Sequence, residues 1–213
     1  MRIAMIGTGG IGSALAHLFA AHGHDVVIGS RFPEAAEPLA RSIGASGLFD
    51  YRSAAEAAEL LCFCIPWEHS AAAISRLGDL SGKILLDPSN PEAADGRSLA
   101  LGHTNSGAEV IAALARGARV VKAFNYVYAE LLGNERALAT LSPSIFLCGD
   151  DVIAKATVSE LVTSCRLTPV DCGPLKQARY LEPLALLMVQ LVREQGWRPD
   201  AVAMRLVHSE AAR

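Results

Sequence analysis

The segment Gly7-Thr8-Gly9-Gly10-Ile11-Gly12 has the glycine spacing of a loop that cradles a pyrophosphate. Such a loop works through its backbone. Gly7 permits the tight turn, Gly9 lets a phosphate approach the main chain, and Gly12 lets the next helix pack closely on its strand. The helix N-terminus then offers unpaired N–H groups and a partial positive charge to an anion. A second group stands at Ile28-Gly29-Ser30-Arg31, where a dinucleotide fold meets the adenosine ribose. An NAD site carries Asp or Glu there. This chain does not, so a 2′-phosphate meets no repulsion. Ser30 offers a hydrogen bond and Arg31 a charge-assisted contact, which predicts NADP(H) in preference to NAD(H). The competing reading of Arg31 is a plain surface arginine.

Further candidates stand where apolar segments end. Ile65 and Pro66 are expected to line the adenosine side. Asn90 and the run Ala123-Phe124-Asn125 are expected at the nicotinamide end. Each Asn is either a ligand for the nicotinamide amide or a substrate carbonyl, or a turn residue. No Cys/His spacing matches a zinc site, and no catalytic group stands out. Of the histidines, His69 and His103 lie nearest the expected site. Tyr126, beside Asn125, is either a proton donor or a packing residue. Hydride transfer between two planar rings needs close stacking more than acid–base help.

The elements that must position these residues alternate. Strands are expected at 2–6, 25–28, 60–65, 83–87, 119–123, 145–148 and 167–171, with a weaker one at 45–49. Helices are expected at 11–21, 33–43, 54–58, 67–77, 106–115, 151–165 and 176–195. In the first helix Ile11, Ala14, Leu15, Leu18 and Phe19 form one buried stripe. Pro33 suits a first helical position, and Asp151 suits an N-cap. Residues 92–104 read as a loop. Strands that are apolar throughout and alternate with helices imply an α/β fold, with a doubly wound, mostly parallel sheet covered on both faces.

Composition agrees. The chain has 213 residues, of which 51% are hydrophobic and 19% charged, enough for one domain with a full core. A net charge of −3 and an aromatic content of 6% argue against a nucleic-acid partner. The five cysteines contain no CxxC pair and read as small buried hydrophobes, Cys62 and Cys64 facing the same way. A reducing, cytoplasmic setting follows as an expectation. The longest apolar run, 183–192, is too short to span a bilayer. The last helix is apolar on nearly every side, so it lies in a deep groove or against a second subunit.

Several blocks beyond the glycine loop carry a family resemblance. They are Val27-Ile-Gly-Ser-Arg31, Leu86-Asp-Pro-Ser-Asn-Pro91, Val120-Val-Lys-Ala-Phe-Asn125, Cys148-Gly-Asp-Asp151, Val170-Asp-Cys-Gly-Pro-Leu175 and Leu181-Glu-Pro183. With these the chain resembles the NADPH-dependent deazaflavin (coenzyme F420) reductase family, small Rossmann-type NADP oxidoreductases. The reductase domain of the membrane metalloreductases is similar too. The resemblance implies one NADP-binding domain over residues 1–213, with a C-terminal helical segment from about 176 that serves a homodimer and a second-substrate pocket. It implies that Thr8, Ser30 and Arg31 take the phosphates and that 123–125 border the nicotinamide. It implies hydride transfer between NADPH and a small acceptor, 8-hydroxy-5-deazaflavin or a relative of it. Other reductase activities on a flavin, quinone, metal chelate, imine or carbonyl remain open, as does an NADPH-binding sensor without turnover. The family's lysine shortly after the arginine is absent here, where Ala35 and Ala36 stand.

Overall fold

The computed structural model describes residues 1–208. Residues 209–213, the end of the expected C-terminal segment, lie outside the described residues.

Chain order is β1 (Arg2–Ile6), α1 (Gly10–Ala21), β2 (Asp25–Gly29), α2 (Pro33–Ile43), β3 (Gly47–Phe49), α3 (Tyr51–Ala57), β4 (Leu60–Phe63), α4 (Ser70–Ile74) and β5 (Ile84–Asp87). It continues with α5 (Gly107–Leu114), β6 (Arg119–Ala123), α6 (Ala129–Leu132), α7 (Glu135–Leu141), β7 (Ser144–Gly149), α8 (Val152–Ser164), β8 (Thr168–Asp171) and α9 (Ala178–Gln195). Among the described residues the strands form one sheet in the order β3-β2-β1-β4-β5-β6-β7-β8.

The central strands β1 and β4 are apolar along nearly their whole length because each faces two cores. Successive residues of a strand point to opposite sides. Ile3 and Met5 therefore join one cluster with α1, α6 and α8, while Ala4 and Ile6 join the other with α3, α4 and α5. On β4 the same alternation puts Cys62 and Cys64 on one side, their sulfurs 3.5 Å apart.

Chain order reverses direction between β1 and β4, with β2 on one flank of β1 and β4 on the other. The crevice beyond the carboxyl ends of two such strands is where doubly wound sheets hold their ligands.

Strand β7 runs antiparallel to β6, and β8 runs parallel to β7. The chain leaving β6 therefore turns back at the carboxyl end of the sheet without a crossover. Residues between β6 and β7 fold as the short helices α6 and α7 on that end, a region for which the sequence pattern carries no expectation. The Tyr126 hydroxyl secures the return, donating to the Ser144 carbonyl and accepting from Phe146 N at 3.0 Å.

Some boundaries differ from expectation. The helix expected at 54–58 starts at Tyr51, because the Asp50 side chain accepts from Ser53 N at 2.8 Å and caps it. The helix expected at 67–77 is a 3₁₀ turn at Trp67–His69 followed by the short α4. Asp151 caps α8 as its residue type suggests, accepting from Ala154 N at 2.7 Å.

Candidate functional site

A cavity of about 580 Å³ opens over the carboxyl ends of the strands. That is the size range of a small-molecule site. Its floor is the glycine loop. Gly7 has φ of +102°, and a Cβ there would stand 2.5 Å from the Cys64 carbonyl, so only glycine fits. A Cβ at Gly9 would meet nothing, which leaves that backbone open to the cavity. The first turn of α1 carries no acidic residue and no side-chain cap, so its N–H groups are left for a ligand.

Of the residues expected at the site, Gly7, Thr8, Gly9, Gly10, Ile11, Ser30, Arg31, Ile65, Pro66, Asn90, Phe124 and Asn125 line this one cavity. Gly12 and Ala123 do not, and for Ala123 this corrects the expectation that it borders the nicotinamide. Gly12 sits beneath the loop, where a Cβ would approach the Gly7 carbonyl to 2.3 Å, so its part is helix-to-strand packing. Ala123 is fully buried in the core behind Phe124. His69 and His103 stay outside the cavity lining.

At one end Arg31 lies on the Phe32 ring, 5.7 Å from its centroid, with Ala35 and Tyr51 alongside. The Ser30 hydroxyl is engaged locally, donating to the Phe32 carbonyl at 3.0 Å and accepting from Phe32 N at 3.1 Å. It shapes the turn that presents Arg31, and its proton is already committed.

At the other end Asn90 and Asn125 hold each other. Asn125 Nδ2 donates to Asn90 Oδ1 at 2.9 Å, and Asn90 Nδ2 donates to the Asn125 carbonyl at 2.7 Å. Asn125 Nδ2 also donates to the Leu181 carbonyl of α9 at 2.9 Å. Asn125 Oδ1 is buried with no partner among the described residues. A buried orphan acceptor in a cavity fits an incoming N–H donor such as a carboxamide. Phe124, between β6 and Asn125, has φ of +64°, a costly conformation for a bulky residue. It turns the chain so that Asn125 meets Asn90.

Beneath this end lies a buried ion cluster that the sequence blocks contain but whose role the pattern alone does not reveal. Lys122 Nζ is 2.8 Å from Asp87 Oδ2, 3.0 Å from Glu182 Oε1, and donates to the Ser89 carbonyl at 2.6 Å. Burial pulls the lysine pKa down, but the two carboxylates outweigh it and hold the ammonium above its usual value. Asp87 Oδ1 accepts from Ser89 N and Oγ at 2.9 and 2.6 Å, so the pair clamps the loop that carries Asn90. Glu182 also accepts from Gly107 N at 2.9 Å and Ala108 N at 3.0 Å at the start of α5. A charge within the apolar run Val120-Val-Lys-Ala was the available signal, since a lysine rarely lies fully buried unless paired.

A family model described as NADP oxidoreductase, coenzyme F420-dependent, matches residues 2–91. A crystal structure from Arthrobacter sp. FB24, described as a candidate F420-dependent NADP reductase, superposes with a TM-score of 0.88 at 30% identity. It covers 98% of this chain and 100% of that one. The chain belongs to the coenzyme F420-dependent NADP oxidoreductase family. NADP is this family's cofactor, in line with the carboxylate-free end of β2. The F420-dependent NADP reductase of Methanothermobacter marburgensis is 28% identical over 212 residues, covering 90% of this chain and 92% of that protein. Metalloreductase STEAP3 of Rattus norvegicus is 34% identical over 194 residues, 88% of this chain. The chain spans only 37% of that metalloreductase's length. No helix among the described residues is long and apolar enough to cross a membrane.

Proposed function

We propose that this member of the family transfers hydride between NADPH and a small planar redox acceptor, 8-hydroxy-5-deazaflavin or a chemical relative of it. One observation carries this reading: a single cavity runs from Arg31, past the glycine loop, to Asn90 and Asn125, and continues to Ala185 and Val189 of α9. It offers a cationic end, a phosphate-binding floor, a polar pair and an apolar wall in that order. Arg31 takes the 2′-phosphate. The backbone from Gly7 to Ile11 takes the pyrophosphate, and Ile65 and Pro66 border the adenosine. Asn125 Oδ1 accepts from the nicotinamide carboxamide. When bound, NADPH supplies the hydride. The chain's own task is to stack the acceptor against the nicotinamide face and keep water out, which Ala185, Val189 and Tyr128 serve.

A second reading, reduction of a flavin or ferric chelate at the same site, is favoured by the likeness to the STEAP3 metalloreductase. We further propose a cytoplasmic homodimer whose partner is a small molecule, not a nucleic acid. The dimer is suggested by α9, which buries Leu181, Ala185, Met188 and Val192 but leaves Tyr180 74% and Leu187 51% exposed.

The test is NADPH oxidation followed at the nicotinamide absorbance band, with the deazaflavin, FMN, a quinone and a ferric chelate as separate acceptors. Turnover fastest with the deazaflavin supports the first reading, and turnover fastest with FMN or the chelate supports the second. Tight NADPH binding with no turnover on any of them replaces both with a sensor.

A further inference from the structure

A phosphate monoester presents three strong acceptor oxygens, so it is held best by more than one donor. At the Arg31 end of the cavity side-chain donors are few. The lining there is Ser30, Arg31, Phe32, Ala35 and Tyr51. The Ser30 proton is committed to the Phe32 carbonyl. Phe32 and Ala35 have no polar side-chain atom. Among these residues Tyr51 brings the second side-chain donor.

The end of β3 places it. Ser30 N donates to the Phe49 carbonyl at 3.0 Å, which holds β3 against the turn that carries Arg31. The chain then enters α3 at Tyr51, behind the Asp50 cap. The Tyr51 side chain joins the core of Ala4, Ile6 and Ala54, and only 6% of the residue is exposed. Its hydroxyl has no hydrogen-bond partner of normal geometry among the described residues, yet it is not one of the polar atoms closed to water. The phenol is thus anchored by its ring and open at its tip. Burial raises its pKa above the ordinary 10.0, and the positive charges of Arg31 and Arg76 offset part of that rise. The hydroxyl therefore keeps its proton at neutral pH and is able to donate it.

We infer that the Tyr51 hydroxyl donates a hydrogen bond to the 2′-phosphate beside Arg31, which makes Tyr51 a second determinant of the preference for NADP(H). The inference rests on the placement of the 2′-phosphate at Arg31 given under Proposed function. Because the core fixes the ring before the nucleotide arrives, little side-chain freedom is lost on binding.

The experiment compares the wild type with Tyr51→Phe, which keeps the ring and removes the oxygen, and with Arg31→Ala. Equilibrium binding is measured for NADPH against NADH, and for adenosine 2′,5′-bisphosphate against AMP. Each pair differs only in the 2′-phosphate. Tyr51→Phe is expected to bind NADPH and the bisphosphate roughly tenfold more weakly, the low end for a hydrogen bond to a charged group. NADH and AMP should bind as before. The melting temperature should stay level, because the hydroxyl has no protein partner to lose. The ratio of NADPH to NADH affinity reports on folded protein alone, so it stands even if stability moves. Unchanged NADPH binding by Tyr51→Phe overturns the inference, while a loss confined to NADPH in Arg31→Ala keeps the placement of the phosphate. Equal losses of NADPH and NADH in Tyr51→Phe also overturn it, assigning the hydroxyl to the adenosine or to the fold. If neither variant discriminates between the two nucleotides, the inference and the placement fall together.

Discussion

Lys122 Nζ and Glu182 Oε1 lie 3.0 Å apart, and neither side chain is reached by water. The contact joins the last parallel strand before the return to the helix that closes the cavity. Together with Asp87 it fixes three elements at one point: the loop of Asn90, the start of α5, and α9. Removing one partner of such a cluster is more damaging than the cluster is stabilising, because the remaining charges stay buried without compensation. Lys122→Met is expected to cost about 3 kcal/mol. For a chain of this size that is a fall in Tm of roughly 10 °C. Adding Glu182→Gln should recover part of the loss, since it removes one of the two buried carboxylates that lose their counter-charge with Lys122. An unchanged melting temperature for Lys122→Met would show that the cluster does not hold these elements.

Arg31 carries the nucleotide preference if the 2′-phosphate lies where we propose. A charge-assisted hydrogen bond contributes about 1.5–3 kcal/mol, so Arg31→Ala should weaken NADPH about 10- to 100-fold. NADH affinity should barely move. Titration of both nucleotides checks this, and equal losses for the two would refute the placement.

The bidentate pair between Arg179 and Glu109 ties the first turn of α9 to α5, with N–O distances of 2.8 and 2.6 Å. The Arg179 hydrogen bonds are the main reason the Glu109 carboxyl is held below its ordinary value of 4.5. A depressed acid contributes stability that is complete above its unfolded pKa and is lost as pH falls through the folded one. Glu109→Gln should therefore be less stable than the wild type at pH 7, by about 1 kcal/mol for a partly exposed pair. The gap should narrow as pH falls below 4.5 and through the depressed folded-state pKa. Denaturant unfolding at several pH values measures it, and a gap that is constant with pH would assign the effect to packing.

Leu187 lies 51% exposed on α9, in a helix whose opposite side is core. If that strip meets a second copy, Leu187→Glu should convert a dimer to a monomer in sedimentation while leaving the fold intact. A wild-type protein that already sediments as a monomer would end the dimer reading.

The sequence alone determined the alternation of strands and helices outside α6 and α7, the glycine loop, and the absence of a carboxylate after β2. These are local matters. Glycine spacing, apolar runs and residue type at one strand end act through the backbone or through a single side chain, so they can be recognised without knowing what packs nearby. Twelve of the expected site residues line one cavity for the same reason: strand ends in a parallel sheet are placed by topology, which the alternation already implies. Ala123 was misassigned because neighbours in sequence at a strand end point in different directions, so it joins the core while Phe124 and Asn125 line the cavity. The ion cluster of Asp87, Lys122 and Glu182, the free hydroxyl of Tyr128 against the saturated one of Tyr126, and the reversal of β7 were decided only by the tertiary structure. Each depends on which distant segments meet, and a lysine or a tyrosine carries no sign of its partner until the chain has folded around it.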